Sequence, residues 1–156
     1  METGLLHLHN ILRWVILILL LLSIAKAYSG WKNKKNFLDG DRRTWLFTLI
    51  AAHLTLLIGL YQWLWGRYGL LKTNLPEGFS VMKDKFYRFY WVEHPTMMII
   101  AVIMITLAYR NAKKPLPDQA KYARALWLFI VALLFILVAI PWPFRQIIGR
   151  PWLPGM

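Results

Sequence analysis

Apolar residues in this chain do not alternate with polar ones at helical or strand spacing. They run on, four times, over about 5–27, 44–65, 90–109 and 125–140. Each run is near the roughly 20 residues needed to cross a hydrocarbon core. Backbone N–H and C=O groups at that depth find no water, so each run predicts a helix. Val15 to Leu22 is apolar on every side, as suits a helix whose outer face meets lipid. The expected fold is all-α: an integral membrane four-helix bundle of up-down topology, one domain over residues 1–156.

Polar punctuation falls between the runs. Tyr28–Arg43 is short and basic, with Ser29-Gly30 and Asp39-Gly40 as turn signals. The longest connection, about Gly66–Tyr90, carries a turn at Asn74–Gly78 around Pro76. Val81–Trp91 interleaves Met82, Phe86, Tyr87, Phe89 and Tyr90 with Lys83, Lys85 and Arg88. That mixture suits a segment lying in the membrane interface, roughly parallel to it. Pro95 fits the first turn of the third span, where its missing N–H costs nothing. Pro141 and Pro143 stop the fourth run. Within the second run, Ala52, Thr55 and Gly59 form a small-residue stripe that lets another helix or a flat ligand approach closely.

Composition agrees: 58% of residues are hydrophobic and mean hydropathy is +0.44. The nine Trp and seven Tyr gather near the run ends, where amphipathic rings prefer the interface. A net charge of +12 would suggest nucleic acid in a soluble protein. Here the basic residues sit beside spans, so they set topology and meet membrane lipid, and no nucleic-acid partner is expected. Lys26, Lys32, Lys34, Lys35, Arg42, Arg43, Arg110, Lys113, Lys114, Lys121 and Arg124, eleven of nineteen, fall on one side. The bias predicts cytoplasmic loops one and three and periplasmic termini, in a bacterial inner membrane. Glu2, a long apolar run and Lys26 within Ala25-Lys26-Ala27 argue against a cleaved leader, so the first span is expected to remain.

With no Cys, disulfides, thiolate sites, iron–sulfur clusters and c-type haem attachment are excluded. Paired carboxylates, a Ser/His/Asp set and a phosphate-binding Gly loop are also missing, which leaves no signal for hydrolysis or phosphoryl transfer. The chemistry that remains is imidazole. His9 and His94 each lie about four residues into a span entered from the same side, so their rings are expected at one depth. Two such histidines can ligate one iron from opposite faces of a b-type haem. Arg13 and Arg88 are candidate propionate partners, because a guanidinium matches both oxygens of a carboxylate. His53, near the middle of span two, is the third iron-ligand candidate, or the centre of a second site. Each of these histidines could instead brace helices through hydrogen bonds, and His7, two residues from His9, points elsewhere. Glu93 could orient an imidazole, hold a metal, accept a quinol proton, or pair with Arg88 or Arg13. Met97, Met98 and Met104 are ordinary packing residues before they are thioether ligands.

Leu8-His9-Asn10-Ile11-Leu12-Arg13-Trp14, His53-Leu54 leading to Leu57-Ile58-Gly59, Val92-Glu93-His94-Pro95 and Ile140-Pro141-Trp142-Pro143-Phe144-Arg145 run through nearly the whole chain. On them the chain resembles a family of small four-helix membrane proteins of Bacteroidetes-type bacteria labelled cytochrome-b-like. The resemblance implies a role around haem or a respiratory chain, with the family's histidines falling on His9, His53 and His94. A more distant similarity is to the haem-binding four-helix units of haem A synthase, which use paired histidines where this chain has three.

Three functions are therefore in view. The first is a haem b protein carrying respiratory electrons, with a quinone as reaction partner. The second is a cofactor-free accessory subunit of a larger respiratory or transport complex. The third is an outward-facing copper or zinc protein using His7, His9, Glu93 and His94. Self-association into a homo-oligomer through the Ala52/Thr55/Gly59 stripe is compatible with each.

Overall fold

The computed structural model describes residues 2–153. All regular structure among them is helical: α1 (Glu2–Lys32), α2 (Asp39–Trp65), α3 (Lys85–Arg88), a π-helical turn (Phe89–Glu93), α4 (His94–Ala112) and α5 (Asp118–Ala139). Four continuous segments, Thr3–Lys32, Asp39–Trp65, Lys85–Ala112 and Asp118–Ala139, are long and apolar enough to cross a membrane.

The helix starts follow local chemistry. Asp39 and Asp41 place negative charge at the positive end of α2, and Asp41 accepts the Leu38 N–H at 3.2 Å. Asp84 caps α3 by accepting the Phe86 and Tyr87 amides, each at 2.9 Å.

The four long segments form a ring in which α1 touches α2 and α5, and α4 touches α2 and α5. Short connections after α1 and α4 make those neighbours antiparallel. Ala27, Ala52, Ala101, Ala108, Ala125, Ala132 and Ala139 are fully buried, so the backbones come close without large side chains between them. Leu20, Trp45, Ile105, Tyr122 and Phe129 fill the rest. A polar contact between helices lies inside, the Ser23–Thr48 hydroxyl pair at 2.8 Å. The outside is apolar: Ile18, Leu21, Phe47, Leu57, Ile103, Trp127, Leu134 and Val138 are all exposed. So continuous an apolar exterior is what a bilayer covers and water does not tolerate.

Two expectations are corrected. Ser29-Gly30 is no turn, because α1 runs on to Lys32 and Gly30 lies under the Tyr122 ring, where a Cβ would collide with it. Tyr122 is fixed there by its hydroxyl, which donates to Asp41 at 2.7 Å with the Asn36 carbonyl sharing that hydrogen from 3.1 Å. The second half of Val81–Trp91 is not a separate element, since Lys85 opens a helical path that continues through Ala112. Pro95 keeps its expected place in the first turn of α4, although that helix continues the path opened at Lys85.

The consequence of Pro95 is visible in the backbone. It cannot donate to the Trp91 carbonyl, and its ring crowds that oxygen. The chain opens by one residue, so the His94 N–H reaches back to Phe89, five residues earlier. The Trp63 indole donates to the Trp91 carbonyl at 3.0 Å and fills the vacancy from α2.

Candidate functional site

Proline shapes the far side of the site as well. In an α-helix the Leu137 and Ala139 carbonyls would receive the amides of residues 141 and 143, and both are Pro. α5 accordingly stops, with Ile140 extended. The Trp142 indole donates to Leu137 at 2.8 Å, Arg145 Nη1 donates to Val138 at 2.9 Å, and His94 Nδ1–H donates to Ala139 at 2.8 Å. The bond to Ala139 fixes the His94 ring and its tautomer, leaving Nε2 with a lone pair.

His9 comes from the second turn of α1. Its ring lies against Gly59, the last member of the small-residue stripe, where a Cβ would stand 3.1 Å from His9 Cε1. Ala52 and Thr55 of the same stripe are buried in the bundle, so it serves packing between helices of one chain. The His9 and His94 ring centroids are 6.3 Å apart with planes inclined at 68°. A ring nitrogen lies about 1 Å from its centroid, so facing nitrogens come no nearer than roughly 4 Å. That exceeds a hydrogen bond of about 3 Å and matches two metal–imidazole bonds of about 2 Å each. His9 Nδ1 is buried without a hydrogen-bond partner. Phe89 and Tyr90, turned inward by the π turn, stand 5.8 and 6.5 Å from the His94 ring.

Arg13, one turn below His9, is buried. Its Nη2 donates to the Pro151 and Trp152 carbonyls at 3.2 and 2.7 Å, and Trp14 adds an indole bond to Trp152 at 3.0 Å. Residues after α5 thus fold back across this end of the bundle and are tied to α1. Arg13 Nε remains buried and unpartnered.

The other sequence candidates lie elsewhere. His53 is exposed on the outer surface, donates Nδ1–H to its own Leu49 carbonyl at 2.9 Å, and lines a groove of about 320 Å³ with Leu56, Ile99 and Arg110. It does not join the His9–His94 pair. Arg88 donates to Glu93 at 2.8 Å and to the Met82 carbonyl at 3.2 Å, so Glu93 orients neither imidazole. Met98 and Met104 pack against the apolar core. Among the described residues no three His, Asp or Glu side chains gather at one point, and His7 and Glu93 do not complete a metal shell around the pair.

Sequence reasoning missed the partners that set this geometry: Ala139, Trp63, and the stretch around Trp152 that holds Arg13. Pro95, Pro141 and Pro143 carried part of the signal, because each names a carbonyl four residues earlier that needs another donor. No known family, curated protein or solved structure matches the chain.

Proposed function

We propose that this is a multi-pass membrane protein that holds haem b between His9 and His94 and carries electrons in a bacterial respiratory chain. The observation that supports it is the imidazole pair: two rings from different helices with centroids 6.3 Å apart, a separation that accommodates two metal–nitrogen bonds when a nitrogen of each ring faces the other. The residues fit an axial pair. His94 is oriented through Nδ1 by a backbone carbonyl, His9 Nδ1 has no partner in the protein, and Gly59 leaves room beside it. Arg13 Nε is the buried donor suited to a propionate. Arg88, paired with Glu93, is less available for that task. When bound, haem would supply one-electron transfer. The chain's part is to fix both imidazoles, exclude water with Phe89, Tyr90 and the segment around Trp152, and neutralise a carboxylate. The basic bias of loops one and three supports the inner membrane with periplasmic termini, which puts the pair near the periplasmic side, and a membrane quinol would be the electron donor.

One observation favours a second reading, a cofactor-free accessory subunit. His94 already replaces the amide that Pro143 denies to Ala139, a bracing task that needs no cofactor.

A reduced-minus-oxidised visible spectrum of the detergent-purified protein, with a pyridine haemochrome count, separates the two. The haem reading expects near-integer haem b, lost in His9→Ala and His94→Ala and kept in His53→Ala. Colourless protein, or His9→Ala with an unchanged Soret band, overturns it in favour of the accessory role.

A further inference from the structure

A half-open cavity of about 350 Å³ lies where α3 meets the segment following α5, lined among others by Lys85, Arg88, Phe89, Glu93 and Arg145. We propose that it binds a phosphate oxyanion. The charge balance is the first reason. Three cations face one carboxylate, and that carboxylate is already paired with Arg88 at 2.8 Å. A surplus of two positive charges remains around one concave space, and close like charges at a membrane surface are relieved by an anion.

The second reason is that the donors are preset. Arg145 is held by the Val138 and Ile140 carbonyls, both through Nη1, and lies over the Phe89 ring at 4.7 Å. Its Nε and Nη2 hydrogens form no hydrogen bond among the described residues. Arg88 is likewise fixed through Nε and Nη1, leaving Nη2. The Lys85 ammonium makes no hydrogen bond or ion pair among the described residues, so all three of its donors are available. Guanidinium groups immobilised in this way suit tetrahedral oxyanions, and Lys adds a mobile point charge. Phe89 and Ile148 give the cavity an apolar wall, which fits a phosphate attached to an organic group at least as well as the bare ion. Lipid headgroup and soluble phosphate share this chemistry. The inference does not depend on haem: Phe89 touches both His94 and Arg145, but the cavity contains neither histidine.

The test uses the full chain in detergent. Native mass spectrometry compares phosphatidylglycerol with diacylglycerol of the same acyl chains. Thermal unfolding compares inorganic phosphate with chloride at equal ionic strength. Lys85→Gln is the principal variant, because it removes no internal bond; Arg145→Gln is the second, and Arg42→Gln at the opposite end is the control. The expected result is one tightly retained phosphate-bearing ligand, bound about five-fold or more weakly by Lys85→Gln and unchanged by Arg42→Gln. Preference for phosphatidylglycerol identifies a lipid headgroup as the source. Stabilisation by inorganic phosphate without lipid preference identifies a soluble phosphate. Binding of both probes by Lys85→Gln as tightly as by the native chain overturns the proposal, and so does equal retention of diacylglycerol together with no stabilisation by inorganic phosphate.

Discussion

The Trp91 carbonyl offers the sharpest check on how this bundle is held together. Pro95 denies it an amide, and Trp63, on another helix, supplies an indole N–H at 3.0 Å. Trp63→Phe keeps most of the ring and removes the donor. An unsatisfied carbonyl in a dry site costs about 1–3 kcal/mol. In a membrane bundle the lower end applies, because the unfolded state also finds partners. Some of the measured loss will come from the smaller ring, so the single variant is ambiguous. A cycle with Pro95→Ala removes the ambiguity. Residue 95 then has an N–H of its own for Trp91, the π turn is no longer required, and the indole bond becomes redundant. Trp63→Phe should cost about 1–2 kcal/mol in the native background and only its packing share beside Pro95→Ala, a coupling of about 1 kcal/mol. Unfolding in mixed micelles with increasing SDS, followed by far-UV circular dichroism, measures both. Equal costs in the two backgrounds, within about 0.5 kcal/mol, would refute the link between Pro95 and Trp63.

Two further outcomes follow from close contacts. Gly30→Ala pushes a methyl group into the fixed Tyr122 ring and should cost about 1–3 kcal/mol by the same unfolding assay, whereas Gly4→Ala, with open space around it, should cost almost nothing. Gly59→Val should leave helix content unchanged but displace His9, so that, on the haem reading proposed above, the visible spectrum is lost or shifted. A native spectrum in that variant would mean that His9 does not serve the centre.

Much of this architecture was legible in the chain, because lipid imposes one rule that sequence displays directly: long apolar runs must be helices. The four long apolar helices follow from it, whereas the inward face of Ala52 and Thr55 did not, because the stripe suited packing within one chain or between chains. Helix ends were less legible. Gly30 reads as a turn by local preference, and only the Tyr122 ring, 92 positions away, explains why the helix continues there. Counting rise per residue predicted His9 and His94 at one level, and the structure brings their rings within 6.3 Å of each other. Which way each ring turns did not follow from the count, since that depends on Ala139 and on the one-residue shift at the π turn. His53 shows the limit of depth as a guide: level gives no azimuth, and this residue faces outward. Arg88 and Glu93 found each other, as the alternatives for Glu93 allowed.

The bond between Arg13 and residues 151 and 152 bears on how the chain is made. Its partners are separated from it by 138 and 139 positions. At about 5–20 residues per second, α1 waits on the order of ten seconds after Arg13 is synthesised before those carbonyls exist. Through that interval the Arg13 guanidinium is without its final acceptors. Synthesis of this chain therefore includes a vulnerable period that the finished fold conceals, in which, for the membrane protein proposed above, water, lipid phosphate or an insertion factor would shelter one charge.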